Sequence, residues 1–374
     1  MNRRVGADMP TRPIQLISIV AILLCGVGPV LPEDFFEDDV FVAGEGGYHT
    51  YRIPAAILTP KDVLLAFCEG RKKGTSDSGD IDLLLRRSFD GGATWLPPQV
   101  VWDGGPNTVG NPCPVVDRST GTVWLPLTRN LGEDTEDEIL SGKGRGSREV
   151  WITRSDDDGA TWSKPVEITK SVKAPDWTWY ATGPGCGIQL RTGRLLVPCD
   201  HAVQGTGMRR SHVIWSDDHG ATWRMGGVPG DLTNECQVVE RSDGSLLLNM
   251  RSYHGKSRRA TATSRDGGLG WSDVAFDMAL IEPVCQASLI RLETGAILFS
   301  NPASARRETM TVRVSRDEGR TWKSSRVLHA GPAAYSSLTP LPGWRIGCLY
   351  ERGNEKPYER IVLARFTLEW LEGS

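Results

Sequence analysis

Five copies of one eight-residue pattern constrain this chain more than any other feature. They are Ser88–Trp95, Ser155–Trp162, Ser216–Trp223, Ser264–Trp271 and Ser315–Trp322. Each reads Ser-x-Asp-x-Gly-x-x-Trp, with Thr before the Trp in all but the fourth. Successive copies start 67, 61, 48 and 51 residues apart, the range expected of blade-like β repeats. Within a copy, Ser and Asp can hydrogen-bond the nearby turn backbone, and Gly permits a positive φ. The Trp offers a large apolar face to wedge between neighbouring sheets. The pattern is a hairpin-closing device, and fold-level repeats carry scaffold more often than chemistry.

The rest of the chain agrees with an all-β fold. Short apolar runs such as 81–85, 194–198, 245–249, 296–300 and 345–350 are bounded by Gly, Pro and Asp and read as strands. Turns such as Arg191-Thr-Gly193, Ser242-Asp-Gly244 and Glu293-Thr-Gly295 precede several of them. Five boxed units plus a sixth built from residues near 35–70 and 335–370 predict a closed six-bladed β-propeller. Pairing the two ends of the chain would remove the exposed edges of an open array. The polar, glycine-rich stretch 131–147 is predicted as a long surface loop.

Residues 1–32 stand apart. Arg3, Arg4 and Arg12 precede an apolar run over 14–28, the shape of an export signal, with an uncleaved anchor as the alternative and the only expected membrane association. The predicted propeller domain is then 33–374, and the predicted location is exported: secreted, periplasmic or surface-associated. Forty-three Lys plus Arg against 46 Asp plus Glu give a net charge of −3, which favours no nucleic-acid partner. Eight cysteines are scattered without a Cys-x-x-Cys pair, and no His-Glu-x-x-His occurs. Neither a metal site nor another cofactor is therefore expected. Cys186 with Cys199 is the one spacing to test for a bridge.

Arg52, Arg251 and Arg307 lie at the starts or ends of predicted strands. Guanidinium groups converging from separate blades would form a planar-donor cage suited to a carboxylate, although a single arginine is more often a solvated cation. Asp77 stands on a Ser/Gly-rich loop six residues after Arg71, and Glu235 and Tyr335 stand at strand entrances. Glu351 ends a strand. These polar groups gather at strand termini, where a propeller opens its funnel.

With these residues in that order, the chain resembles the six-bladed exo-sialidase (neuraminidase) family. The resemblance rests on Tyr51-Arg-Ile-Pro54, the five boxes, and the sixteen-residue intervals Glu235–Arg251 and Tyr335–Glu351. It covers nearly everything from about residue 40 onward. It implies a retaining exo-α-sialidase acting on sialylated glycoconjugates, with Tyr335 as nucleophile, Glu235 as its base and Asp77 as acid/base. Arg52, Arg251 and Arg307 would hold the substrate carboxylate, Glu351 would orient Arg52, and Arg71 would border the pocket. Asp80 competes with Asp77, and Arg306 with Arg307. A glycosidase for another acidic nonulosonic sugar, or a non-catalytic carbohydrate-binding propeller, are the alternative readings. Trp177, Trp179 and Tyr180 could line the region that holds the sugar's N-acetyl or aglycone side, or simply pack between blades.

Overall fold

The computed structural model describes residues 1–2, 35–343 and 345–373. The predicted leader, apart from Met1 and Asn2, lies outside the described residues. All the described strands fall in one compact unit, 34–374. No helix among the described residues is long and apolar enough to cross a membrane.

Each blade is an antiparallel meander of four strands. Blade 1 comprises Thr50–Leu58, Leu64–Arg71, Ile81–Ser88 and Gln99–Trp102. Blade 2 opens on the short Thr108–Gly110 and Val115–Val116 and continues through Val123–Asn130, Glu149–Ser155 and Val166–Glu167. Blade 3 runs from Trp177–Thr182 through Leu195–Val203 and Arg209–Ser216 to Arg224–Met225. Blade 4 is Thr233–Glu240, Leu246–Ser252, Arg258–Ser264 and Ala275–Ile281.

Blades 5 and 6 share the 18-residue strand Ser324–Leu341. Its first half pairs with Glu308–Ser315 as the outer strand of blade 5, and its second half pairs with Arg345–Arg352 as the inner strand of blade 6. Phe35–Val42 then pairs with Arg360–Thr367, so the first described strand closes the last blade. The ring is closed as predicted, with one correction. Residues 50–71 supply the two innermost strands of blade 1, so only 35–42 crosses over to the sixth blade.

The boxes do what their composition dictates. In the second, Ser155 Oγ accepts from Gly159 N (2.8 Å) and donates to Asp157 Oδ1 (2.8 Å). Asp157 in turn accepts from Thr161 N (2.8 Å) and Thr161 Oγ1 (2.6 Å). In the fourth, which lacks the Thr, Asp266 bonds the backbone of Leu269 and Gly270 instead. Each box tryptophan packs across a seam to the preceding blade: Trp162 meets Phe67 edge-on at 5.7 Å, and Trp223 meets Trp124 at 6.4 Å. Blade 6 has no box. Its seam with blade 5 is covered by the C-terminal helix Leu368–Glu372, which buries Leu368 and Leu371, while Trp370 stacks on Phe35 at 4.8 Å.

The predicted loop at 131–147 differs from expectation. It carries a short helix, α1 (Glu136–Leu140), started by a capping box in which Thr135 and Glu138 bond each other's backbone N–H, and it buries Ile139. Asp134 is also buried, accepting from Arg145 N (3.0 Å) and Gly146 N (2.9 Å). The loop is pinned to the propeller. All seven described cysteines are free, so Cys186 and Cys199 are not bridged.

Candidate active site

One cavity of about 270 Å³ opens where the inner strands begin. Four of those strands carry a bulge of the same size just there. In each, two residues on the inner strand face one on its neighbour: between Arg52 and Ala55, Trp177 and Tyr180, Thr233 and Cys236, and Ala333 and Ser336. A bulge breaks the two-residue alternation and re-aims side chains. Arg52 and Ile53, Trp179, Asn234 and Glu235, and Tyr335 are the residues re-aimed, and all line the cavity. Tyr335 thus sits inside a long strand, at the point where that strand passes from blade 5 to blade 6.

Tyr335 is buried, and its hydroxyl donates to Glu235 Oε1 at 2.5 Å. Arg251 Nη1 donates to the other oxygen of Glu235 at 2.8 Å and approaches the phenol oxygen at 3.3 Å. Arg52 and Arg307 stand over the Tyr335 ring, with guanidinium carbons 5.0 and 5.6 Å from its centroid. The three predicted guanidiniums therefore surround the phenol. Burial raises the Tyr335 pKa well above that of an ordinary phenol, and Glu235 pushes the same way. The hydroxyl keeps its proton unless Glu235 takes it.

Glu351 is fully buried and ties three things together. It accepts from Arg52 Nε (2.9 Å) and Nη2 (3.4 Å), from Ile53 N (2.9 Å) and from Tyr335 N (3.0 Å). One carboxylate fixes the Arg52 side chain and the backbone of two bulges. Arg307 is positioned separately, donating to Tyr358 Oη at 2.6 Å, while Arg52 lies 4.0 Å over the Tyr358 ring.

Asp77 is half exposed and accepts from Arg71 Nη2 at 2.6 Å, with Arg52 Nη1 at 3.7 Å. Partial burial works upward on its carboxyl, but the charges of Arg71 and Arg52 outweigh it and hold the pKa below the usual range. Arg71 is itself clamped by Glu69 (3.1 and 2.6 Å) and Thr75 O (2.6 Å). The competing residues lie elsewhere. Asp80 pairs with Lys72 at 2.9 Å, and the exposed Arg306 pairs with Glu308 at 3.1 Å. Neither lines the cavity.

Sequence reasoning missed part of the wall. Glu69 passes Gly110 to accept from Asn111 N at 2.9 Å, and a Cβ on Gly110 would fall 2.1 Å from its carboxylate. Arg148 and Asp200 line the cavity too, and so do Glu136 and Arg209, an ion pair at 3.1 Å. Of the three aromatics weighed together, only Trp179 lines the cavity; Trp177 and Tyr180 belong to the core between blades 2 and 3. Arg148 had a usable signal. It stands before the third strand of blade 2, as Arg307 does in blade 5.

Comparison with known proteins agrees with this architecture. A family model described as a BNR repeat-like domain matches residues 62–347. A sialidase of Micromonospora viridifaciens is 36% identical over 365 residues, covering 91% of this chain and 55% of that protein. An exo-alpha-sialidase of Aspergillus fumigatus is 34% identical, covering 87% of this chain and 86% of its own length. Among solved structures, the Hadza microbial sialidase Hz136 superposes with a TM-score of 0.82 at 33% identity, covering 90% of this chain and 69% of that one. A closed six-bladed β-propeller with this degree of likeness defines a glycoside hydrolase. The chain belongs to the exo-α-sialidase family.

Proposed function

We propose that this protein hydrolyses terminal α-ketosidically linked sialic acids from glycoconjugates, with retention and through a covalent tyrosyl intermediate. The observation that carries the reading is the 2.5 Å hydrogen bond from Tyr335 to Glu235 inside a ring of three guanidiniums. A sialic acid bears its carboxylate on the anomeric carbon. An anionic nucleophile approaching that carbon would meet like-charge repulsion, whereas a neutral phenol would not. Sialidases with a tyrosine nucleophile are exceptions to the two-carboxylate scheme.

In the first step Tyr335 Oη attacks the anomeric carbon while Glu235 takes its proton. The glycosidic bond breaks, and Asp77 supplies the proton to the departing oxygen. In the second step Asp77 takes a proton from water as that water attacks the same carbon. The bond to Tyr335 breaks, and Glu235 returns the proton to the phenolate. Arg52, Arg251 and Arg307 hold the substrate carboxylate throughout and offset its charge as the ring becomes cationic.

Asp77 must carry a proton for the first step, yet in the free protein Arg71 and Arg52 favour its anion. A bound substrate carboxylate neutralises part of that cationic field. Binding therefore raises the Asp77 pKa and loads the acid.

The test is turnover of a fluorogenic α-sialoside by wild type and Tyr335→Phe, with NMR of the first sugar released. Wild type should release the α-anomer first, and the variant should lose about 10³-fold in kcat, within the range of a lost covalent or acid–base group. Equal rates, or β-anomer first, would remove Tyr335 from this role. The Arg-rich, apolar N-terminus supports export of the protein; N-terminal sequencing of the mature chain tests that reading.

A further inference from the structure

Arg148 is a buried cation in the cavity wall that the mechanism leaves unused. Its side chain is buried, yet no carboxylate lies within ion-pair distance of it among the described residues. Nη1 donates to Asn130 Oδ1 at 2.8 Å, Nη2 donates to Asn111 Oδ1, and Nε has no partner. The guanidinium carbon stands over Trp179, 4.0 Å from the ring centroid. Burying a cation with only neutral acceptors is costly. Burial accordingly lowers its pKa despite the nearby Glu69 and Glu136.

The stack is built. Lys173 is buried beneath it and donates to Ser147 Oγ (2.5 Å), Arg148 O (2.7 Å) and Thr178 O (3.0 Å). It thereby clips the backbone of Arg148 to that of the residue before Trp179. A surface arginine would need no such support.

Its location says what it faces. Trp179 is on the inner strand of blade 3 and Tyr335 on that of blade 6, so the two stand across the ring of six blades. Arg148 and Arg307, in blades 2 and 5, are likewise opposed. With the anomeric carbon at Tyr335, the atom across a pyranose ring is carbon 5. In nonulosonic acids carbon 5 carries the variable substituent: acetamido, glycolylamido or hydroxyl. An acetamido methyl needs an apolar surface, and here the facing indole is already covered by a guanidinium, with only the small Ala181 beside it. What the wall offers there is the guanidinium of Arg148, which lines the cavity.

We propose that Arg148, held on Trp179, is a specificity-determining residue that selects nonulosonic acids presenting an oxygen acceptor at the end of the carbon-5 substituent over those ending in a methyl. This inference rests on the sialidase reading of the site. The shared chemistry is a hydroxyl, attached either directly to carbon 5 or through a glycolyl group. Three fluorogenic α-ketosides differing only at carbon 5 (acetamido, glycolylamido and hydroxyl) separate the cases.

Wild type should show a higher kcat/KM for one or both hydroxyl-bearing substrates than for the acetamido one. Arg148→Met should lower kcat/KM for the preferred substrate at least tenfold and leave the acetamido substrate within about threefold, or improve it. Arg148→Lys, which keeps the charge but loses the planar fork, should move the ratio part of the way. It decides the matter if the Met variant does not fold. An unchanged substrate ratio in these variants, or a wild-type preference for the acetamido substrate, overturns the assignment to Arg148 and leaves the sialidase reading standing. No turnover of any of the three by wild type overturns the sialidase reading and this inference with it.

Discussion

Replacing Glu351 by Gln tests the strongest mechanical claim about the site, because the substitution changes charge with almost no change in shape. Glu351 is fully buried and takes four hydrogen bonds: two from Arg52, one from Ile53 N and one from Tyr335 N. An amide has one acceptor oxygen in place of two. If that oxygen faces Arg52 Nε and Ile53 N, the NH₂ group opposes Tyr335 N–H; if the amide is flipped, Ile53 N–H is the one opposed. Either way one buried backbone N–H loses its acceptor, at about 1–3 kcal/mol. Arg52, 4% exposed, also loses its buried counter-charge, and breaking such a pair costs about 3–5 kcal/mol when the partner is removed outright. The amide oxygen still accepts, so the combined destabilisation should be roughly 3–5 kcal/mol rather than the full sum. Urea unfolding followed by tryptophan fluorescence measures it. Glu372→Gln is the control: its partner Arg316 is about half exposed, so the loss should stay below about 1 kcal/mol. Kinetics add a second reading, since Tyr335 is held by the same carboxylate. A misplaced phenol should lower kcat about 10²-fold, the scale expected from a displacement of about 1 Å. If Glu351→Gln costs no more than the control and kcat is unchanged, Glu351 does not hold the two bulges as argued.

Three further outcomes follow from the same geometry. Because Arg71 and Arg52 hold the Asp77 pKa down in the free protein, the basic limb of kcat/KM should lie at lower pH than that of kcat, which reports the substrate complex; coincident limbs would contradict the loading of Asp77 by substrate. Arg71→Met removes the 2.6 Å partner of Asp77, so the basic limb of kcat/KM should move to higher pH even as KM rises. In the boxes, Asp90, Asp218 and Asp317 have pKa values lowered to about 2. Their folded pKa lies below the unfolded value, so their contribution is present above about pH 4 and is lost as pH falls toward 2. Asp218→Ala should cost about 1 kcal/mol at pH 7, like the loss of a capping side chain, and less at pH 2; an equal loss at both pH values would assign the effect to packing.

The scaffold was legible in the sequence because each of its signals is local. Ser155, Asp157, Gly159 and Trp162 fall within eight residues, and their hydrogen bonds never leave the turn. The seam that has no box was not legible. Blades 5 and 6 are joined by one continuous strand and covered by the C-terminal helix, and nothing local marks where Ser324–Leu341 changes blade. Assigning 50–71 to the sixth blade failed for a related reason: only ring closure, a long-range event, decides which strand crosses over. α1 escaped notice because five residues are too few for a helical period. Its one sequence mark, Thr135 followed by Glu138, is a capping box.

The candidate site divides along the same line. Tyr335, Glu235 and Arg52 could be named by order and interval, but their direction could not be read from alternation, because each lies at a bulge that breaks the alternation. The bulge is also what makes the chemistry possible. A strand that kept its register would direct successive residues to the two seams, where blade packs on blade, and would present none at the axis. One extra residue in the inner strand frees side chains from both seams and turns them to the cavity, at the cost of unpaired backbone N–H groups. Glu351 accepts two of those groups, from Ile53 and Tyr335, and Arg52 as well. The same carboxylate that repairs the broken ladder therefore fixes a carboxylate-binding cation and the proposed nucleophile relative to each other. In this fold, site precision and strand repair are one interaction, which is why the effect of Glu351→Gln on stability and its effect on kcat should not be separable.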